Sequence, residues 1–126
     1  MTCDCNKDRL ELLVKQGTSQ SYNFTVRASD GTPLDLSDYI IKVQIKKYPL
    51  AKVSPLIEWD ITIDSTEYGQ ITSVDEGKFY IHLTEDLTTS LNPDTYYLVV
   101  MLVNQNNQIV ISGEGDKSGV LRICKQ

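Results

Sequence analysis

An all-β fold, a β-sandwich of about seven to nine short antiparallel strands, is predicted by three observations. Short segments alternate apolar and polar residues, turn residues punctuate them at close intervals, and no stretch carries the longer period of an amphipathic helix. The same reading suits the run Tyr96 to Val103, whose last six residues, Leu98-Val-Val-Met-Leu-Val103, include nothing polar. A continuous run of this kind is a strand covered on both faces or an equally apolar helix segment. Pro93 upstream and Asn104-Gln-Asn-Asn107 downstream leave room for about ten residues, and the tyrosines and valines favour the strand.

The chain has 126 residues, enough for one domain with one core. Its formal charge of −5 disfavours a nucleic-acid partner, because phosphate neutralisation needs clustered lysine and arginine. Lys46-Lys47 is the only adjacent basic pair. No apolar run approaches the roughly 20 residues of a membrane span. The charged start, Met-Thr-Cys-Asp-Cys-Asn-Lys-Asp-Arg9, lacks the apolar stretch of a signal peptide, so synthesis in a cytoplasm without an export signal is expected. Three cysteines do not make a disulfide framework, and free thiols are expected there.

Residues 1–9 are polar and aperiodic and are expected to be an N-terminal arm; residues 10–126 are the sandwich domain. Leu10, Leu12 and Val14 form the buried side of a first strand ending near Gly17. Tyr22, Phe24 and Val26 alternate in a second. Ser29-Asp-Gly-Thr32 signals a tight turn, and Pro33 to Asp38 a compact corner. From Tyr39 to Lys47 the pattern places Ile41, Val43 and Ile45 inward and Lys42, Gln44 and Lys46 outward. After a proline-bearing loop, Leu56 to Asp64 buries Ile57, Trp59, Ile61 and Ile63 and exposes Glu58, Asp60, Thr62 and Asp64. The opposed charges predict a hairpin between these two strands.

Gly69 to Gly77 reads as weakly structured. Lys78 to Leu83 is a strand with Phe79, Ile81 and Leu83 inward. Thr84 can cap one short helical turn near 85–91, with Leu87 and Leu91 on its apolar side and Pro93 ending it. Beyond the central run, Ile109 to Ser112 and Val120 to Ile123 complete the sheet, with Gly113, Gly115 and Gly119 permitting bends.

Leu91-x-Pro93-x-x-x-Tyr97 has the spacing of the tyrosine corner of immunoglobulin-like and fibronectin-type-III sandwiches. Leu91, Pro93 and Tyr97 are therefore the expected structural corner, with Tyr97, Val99, Met101 and Val103 pointing into the core. The plainer alternative is an ordinary turn before an apolar strand. Cys3, Cys5 and Cys124 could meet in space, but Cys-x-Cys is not the usual zinc spacing, and His82 alternates outward. No metal, cofactor or catalytic residue is expected: neither a Gly-x-Ser-x-Gly elbow nor a phosphate-cradling glycine loop occurs, and the carboxylate pairs fall on loops.

The order of several segments adds a resemblance. Lys15-Gln-Gly17 is followed by an alternating strand, then Asp30-Gly-Thr-Pro-Leu-Asp-Leu-Ser37, then Ile41-Lys-Val-Gln-Ile-Lys46. Later come Gly77-Lys-Phe-Tyr-Ile-His-Leu-Thr84, the Tyr96-Tyr97 corner and Gln108-Ile-Val-Ile-Ser-Gly113. This pattern resembles the small immunoglobulin-like virion proteins of tailed bacteriophages and is similar to the N-terminal domain of their upper baseplate proteins. The cysteine-bearing arm departs from that group, and the C-terminal extension of a baseplate subunit is not expected here.

The resemblance implies a non-enzymatic virion structural protein, assembled in the host cytoplasm. It would decorate the capsid or act as an adaptor at a fibre, collar or baseplate attachment point. Implied partners are other virion proteins (capsid, fibre or tail subunits), with homo-oligomerisation left open; nucleic acid and membrane are not expected. Thr2, Cys3, Asp4, Cys5, Asn6 and Lys7 would form the partner-contacting part of the arm. The alternative reading is a carbohydrate- or receptor-binding module using the loop tyrosines Tyr48 and Tyr68.

Overall fold

A computed structural model describes residues 11–28, 30–48, 52–65, 67–106, 108–112 and 119–125. Among these described residues, nine strands and one short helix follow in chain order: β1 Glu11–Lys15, β2 Gln20–Thr25, β3 Tyr39–Lys46, β4 Ile57–Ile61, β5 Gly69–Ser73, β6 Lys78–Leu83, α1 Glu85–Ser90, β7 Asp94–Asn104, β8 Ile109–Ser112 and β9 Gly119–Cys124. One sheet has the order β1-β9-β7-β3-β4, with β8 also pairing β7, and the other has the order β2-β6-β5. The fold is an immunoglobulin-like β-sandwich.

The last strand of that fold is divided here. Ser112 on β8 pairs with Met101, and Gly119 on β9 pairs with Leu98. The chain thus advances seven positions while β7 advances three, so the register shifts by four. The glycines 113 and 115 lie outside the described residues.

One pairing departs from the expected antiparallel set: β1 runs parallel to β9. The chain leaves β1 for β2 in the opposite sheet, so no hairpin dictates the direction of its neighbour. The predicted hairpin of β3 and β4 is present, with Lys42 opposite Asp60 and Gln44 opposite Glu58. Lys42 Nζ lies 3.8 Å from Asp60 and 4.0 Å from Glu58, while the Gln44 amide donates to Glu58.

The core joins the inward rows of both sheets. Ile41, Val43 and Ile45 of β3 and Leu98 and Leu102 of β7 share it with Phe79, Ile81 and Leu83 of β6. Phe24 stacks on Phe79, its cross-strand partner, with ring centroids 5.2 Å apart. β7 is buried on both faces, as its unbroken apolar run predicts. Its two rows differ from expectation, however. Tyr96, Leu98 and Leu102 belong to the inter-sheet core, whereas Val99, Met101 and Val103 form a separate buried cluster.

Three local expectations fail for identifiable reasons. The stretch after Gly69 is a strand, β5, because β6 supplies its hydrogen-bond partners despite weak apolar alternation. Ile63 is 52% exposed rather than buried: β4 ends at Ile61, and Thr62 and Ser65 cross-link a turn through their hydroxyls. Lys46, expected outward in solvent, is only 2% exposed, and Gln44 is buried beside it. The face they share is not an open one.

The predicted cap forms. Leu87 N–H donates to Thr84 Oγ1 at 3.1 Å, and Leu87 and Leu91 are buried. Buried Thr88 then pins the helix to the β1–β2 turn, donating to Thr18 O at 2.8 Å and accepting from Gly17 N–H at 3.1 Å. Gln16 adds a bond to Leu91 O at 3.0 Å.

Candidate functional site

The corner before β7 is real but uses the other tyrosine. Tyr96 OH donates to Asn92 O at 2.8 Å, and its ring is buried; Tyr97 is only half-buried. A corner tyrosine must point toward the opposing sheet. On a strand whose two rows are both apolar, composition does not tell which of two adjacent tyrosines does so. Leu91 is buried and Pro93 exposed.

Lys47 braces this corner. Its Nζ binds the Asp94 carboxylate, reaches Thr95 O at 3.3 Å, and sits 5.1 Å from the Tyr96 ring centroid. The bond from Lys47, with a second from the Thr95 N–H, holds the Asp94 carboxyl below its ordinary value. The same bond raises Lys47. The lowered Asp94 contributes stability above its unfolded value, and that contribution is lost as pH falls through the folded one. Both groups are solvent-facing, so the effect is small. In an NMR titration Asp94 should protonate below an unpaired aspartate, and Lys47→Met should move it back up.

Of the expected arm, Thr2 to Lys7 lie outside the described residues, as do Cys3 and Cys5. Cys124 is a free, partly exposed thiol at the end of β9. Among the described residues no cluster of histidine, cysteine and carboxylate side chains is placed to hold a metal ion. No described helix is long and apolar enough to cross a membrane. The loop tyrosines divide: Tyr48 is 58% exposed, whereas Tyr68 packs against Trp59 at 5.5 Å and hydrogen-bonds Glu67, which raises its phenol.

A polar depression not anticipated from sequence lies on the outer face of the β2-β6-β5 sheet. Ser21, Asn23, Tyr80 and His82 line it, with a volume of about 440 Å³. The register creates it, because Ser21 stands opposite His82 and Asn23 opposite Tyr80. His82 therefore has a partner: Ser21 Oγ is 2.6 Å from its Nδ1. The depression is open, and no carboxylate, lysine or arginine is among the side chains that line it. An aromatic ring flanked by an amide, a hydroxyl and an imidazole suits a neutral polyhydroxylated ligand better than an ion.

Two of the segments on which the resemblance rests, Asp30–Ser37 and Gly77–Thr84, meet in space at Gly77. Asp30 Oδ1 accepts from Thr32 N–H and hydroxyl at 2.9 and 2.6 Å, closing the turn, and these bonds hold its carboxyl low. Leu34 N–H donates to Val26 O at 2.9 Å and Leu36 N–H to Val74 O at 3.0 Å. Val26 N–H donates to Gly77 O at 2.8 Å. Gly77, at φ +67°, presents its Cα where a Cβ would lie 2.5 Å from Val26 O and 2.7 Å from Leu34 O.

No family model matches the chain, and no curated protein matches it. Solved structures do resemble it. The NK cell receptor NKp44, a triggering partner in natural cytotoxicity, is 16% identical, with 91% of this chain and 97% of that one covered and a TM-score of 0.49. A strand-swapped dimer of the mouse leukocyte-associated immunoglobulin-like receptor 1 extracellular domain is 9% identical over 92% and 81%, with a TM-score of 0.39. The ZIG-8 IG1 homodimer is 9% identical over 94% and 81%, at 0.41. At this distance the likeness concerns the sandwich and not what it binds.

Proposed function

We propose that this chain is a non-enzymatic structural protein of a tailed-phage particle, decorating the capsid or serving as an adaptor at a fibre, collar or baseplate attachment point. The observation carrying this reading is the interlock just described. Two of the segments on which the resemblance rests, Asp30–Ser37 and Gly77–Thr84, meet at one packed corner, which supports reading them as parts of a single structural unit. A rigid sandwich with open sheet edges suits a protein that works by presenting surfaces to neighbours. The open setting of Ser21 and His82 favours binding over catalysis, since no described residue around them would shield a reaction from water.

Immunogold electron microscopy of phage particles with antibody to this domain tests the reading. Label over heads is expected for capsid decoration, and label at the collar or tail tip for an adaptor. Particles left bare by a validated antibody would overturn it. The second reading, a carbohydrate-binding module, is favoured by the Tyr80 depression. It predicts glycan-array signal that Tyr80→Ala and Asn23→Ala abolish; a blank array for the unaltered chain removes it.

A further inference from the structure

We propose that the open edge of β1 pairs with the same edge of a second copy of this chain, antiparallel about a two-fold axis through Leu13. This stands apart from the virion reading, and either can fail alone. Among the described residues β1 ends the larger sheet, with β9 on one side only. Gln16 N–H donates to Cys124 O at 2.8 Å, which fixes the alternation along the strand. Leu12 and Val14 then turn their backbone groups to β9, and Glu11, Leu13 and Lys15 turn theirs to the open edge.

The side chains make that edge self-complementary. Glu11, Leu13 and Lys15 are exposed, and Leu13 at 66% is the most exposed large apolar side chain among the described residues. Two-fold pairing at Leu13 sets Leu13 against its symmetry mate, Glu11 against Lys15 and Lys15 against Glu11. Leu12 would face Val14 on the inner side, extending the core across the junction. Charges on an edge ordinarily discourage pairing, but here their spacing turns two charges per strand into two attractive contacts. Lys15 O already accepts from Thr18 N–H and hydroxyl. The pairing therefore rests on the reciprocal Leu13 bonds and on Lys15 N–H donating to Glu11 O, each made twice.

The edges at β4, β5 and β2 do not share this property. Two copies of β4 paired about Trp59 would oppose Glu58 to Asp60, like charge to like. β5 is interrupted by a register shift between Ile71 and Ser73, and β2 presents no charge pattern to select an orientation. A two-fold interface uses the same patch twice, so one self-complementary strand suffices.

Sedimentation velocity on the full chain tests this. The unaltered protein should show a concentration-dependent dimer. Glu11→Lys and Lys15→Glu alone should each weaken self-association about tenfold or more, since each turns both charge contacts repulsive. Mixing these two variants should restore association as a heterodimer, and the double variant should dimerise by itself. Recovery in the mixture also shows that each variant is folded. A strictly monomeric unaltered chain at millimolar concentration, or single variants that associate as well as it does, would overturn the proposal.

Discussion

Gly77→Ala is expected to lower the unfolding free energy by about 2–4 kcal/mol, measured by urea denaturation. Two costs combine. The backbone there is left-handed, at φ +67°, which an alanine resists. The new Cβ would also fall 2.5 Å from Val26 O and 2.7 Å from Leu34 O. Both obstacles are backbone, and Val26 O is already engaged by Leu34 N–H, so neither can swing aside as a side chain would. Gly31→Ala supplies the comparison. Its φ is +90°, but nothing lies within 4 Å of the added carbon, so only the conformational cost of about 1–2 kcal/mol remains. Equal losses in the two variants would show that the corner relaxes around Gly77 and is not a rigid interlock.

Leu98→Ala is expected to cost about 2–5 kcal/mol. Leu98 is 1% exposed and stands two residues after the corner tyrosine. In antibody domains that place holds the second cysteine of the inter-sheet disulfide. Here β2 contains no cysteine, so no covalent bridge joins the two sheets at this point and packing alone holds them there. Val99→Ala makes a useful control. Val99 is equally buried but belongs to the outer cluster with Met101 and Val103, and it loses fewer carbons. Denaturation should therefore rank Leu98→Ala well above Val99→Ala. The reverse ranking would mean that the outer cluster, and not the inter-sheet core, dominates stability.

Much of the fold was legible because local chemistry and tertiary outcome agree. Alternation located β1, β3, β6 and most of β4; Thr84 announced the helix cap; Asp30, Gly31 and Pro33 announced the turn. What failed did so where a partner decides. β5, Gly-Gln-Ile-Thr-Ser, has one large apolar residue, so its strand character comes from the hydrogen bonds of β6. Ile63 kept the alternating pattern after the strand had ended, because side-chain hydroxyls rather than spacing close that turn. The candidate sites were less legible still. Ser21, Asn23, Tyr80 and His82 look like unremarkable outward residues until register places them side by side.

By itself the sequence determined the class of fold, the doubly covered central strand, the capped helical turn and the proline-bearing corner. Each follows from periodicity, propensity or capping within a few neighbouring residues. Tertiary structure alone decided that Tyr96 and not Tyr97 closes the corner, that β1 runs parallel to β9 and ends the sheet among the described residues, and that two distant motifs lock around Gly77. The reason is common to all three. Each depends on which faces and edges of separate strands come together, and that is information a local pattern does not contain.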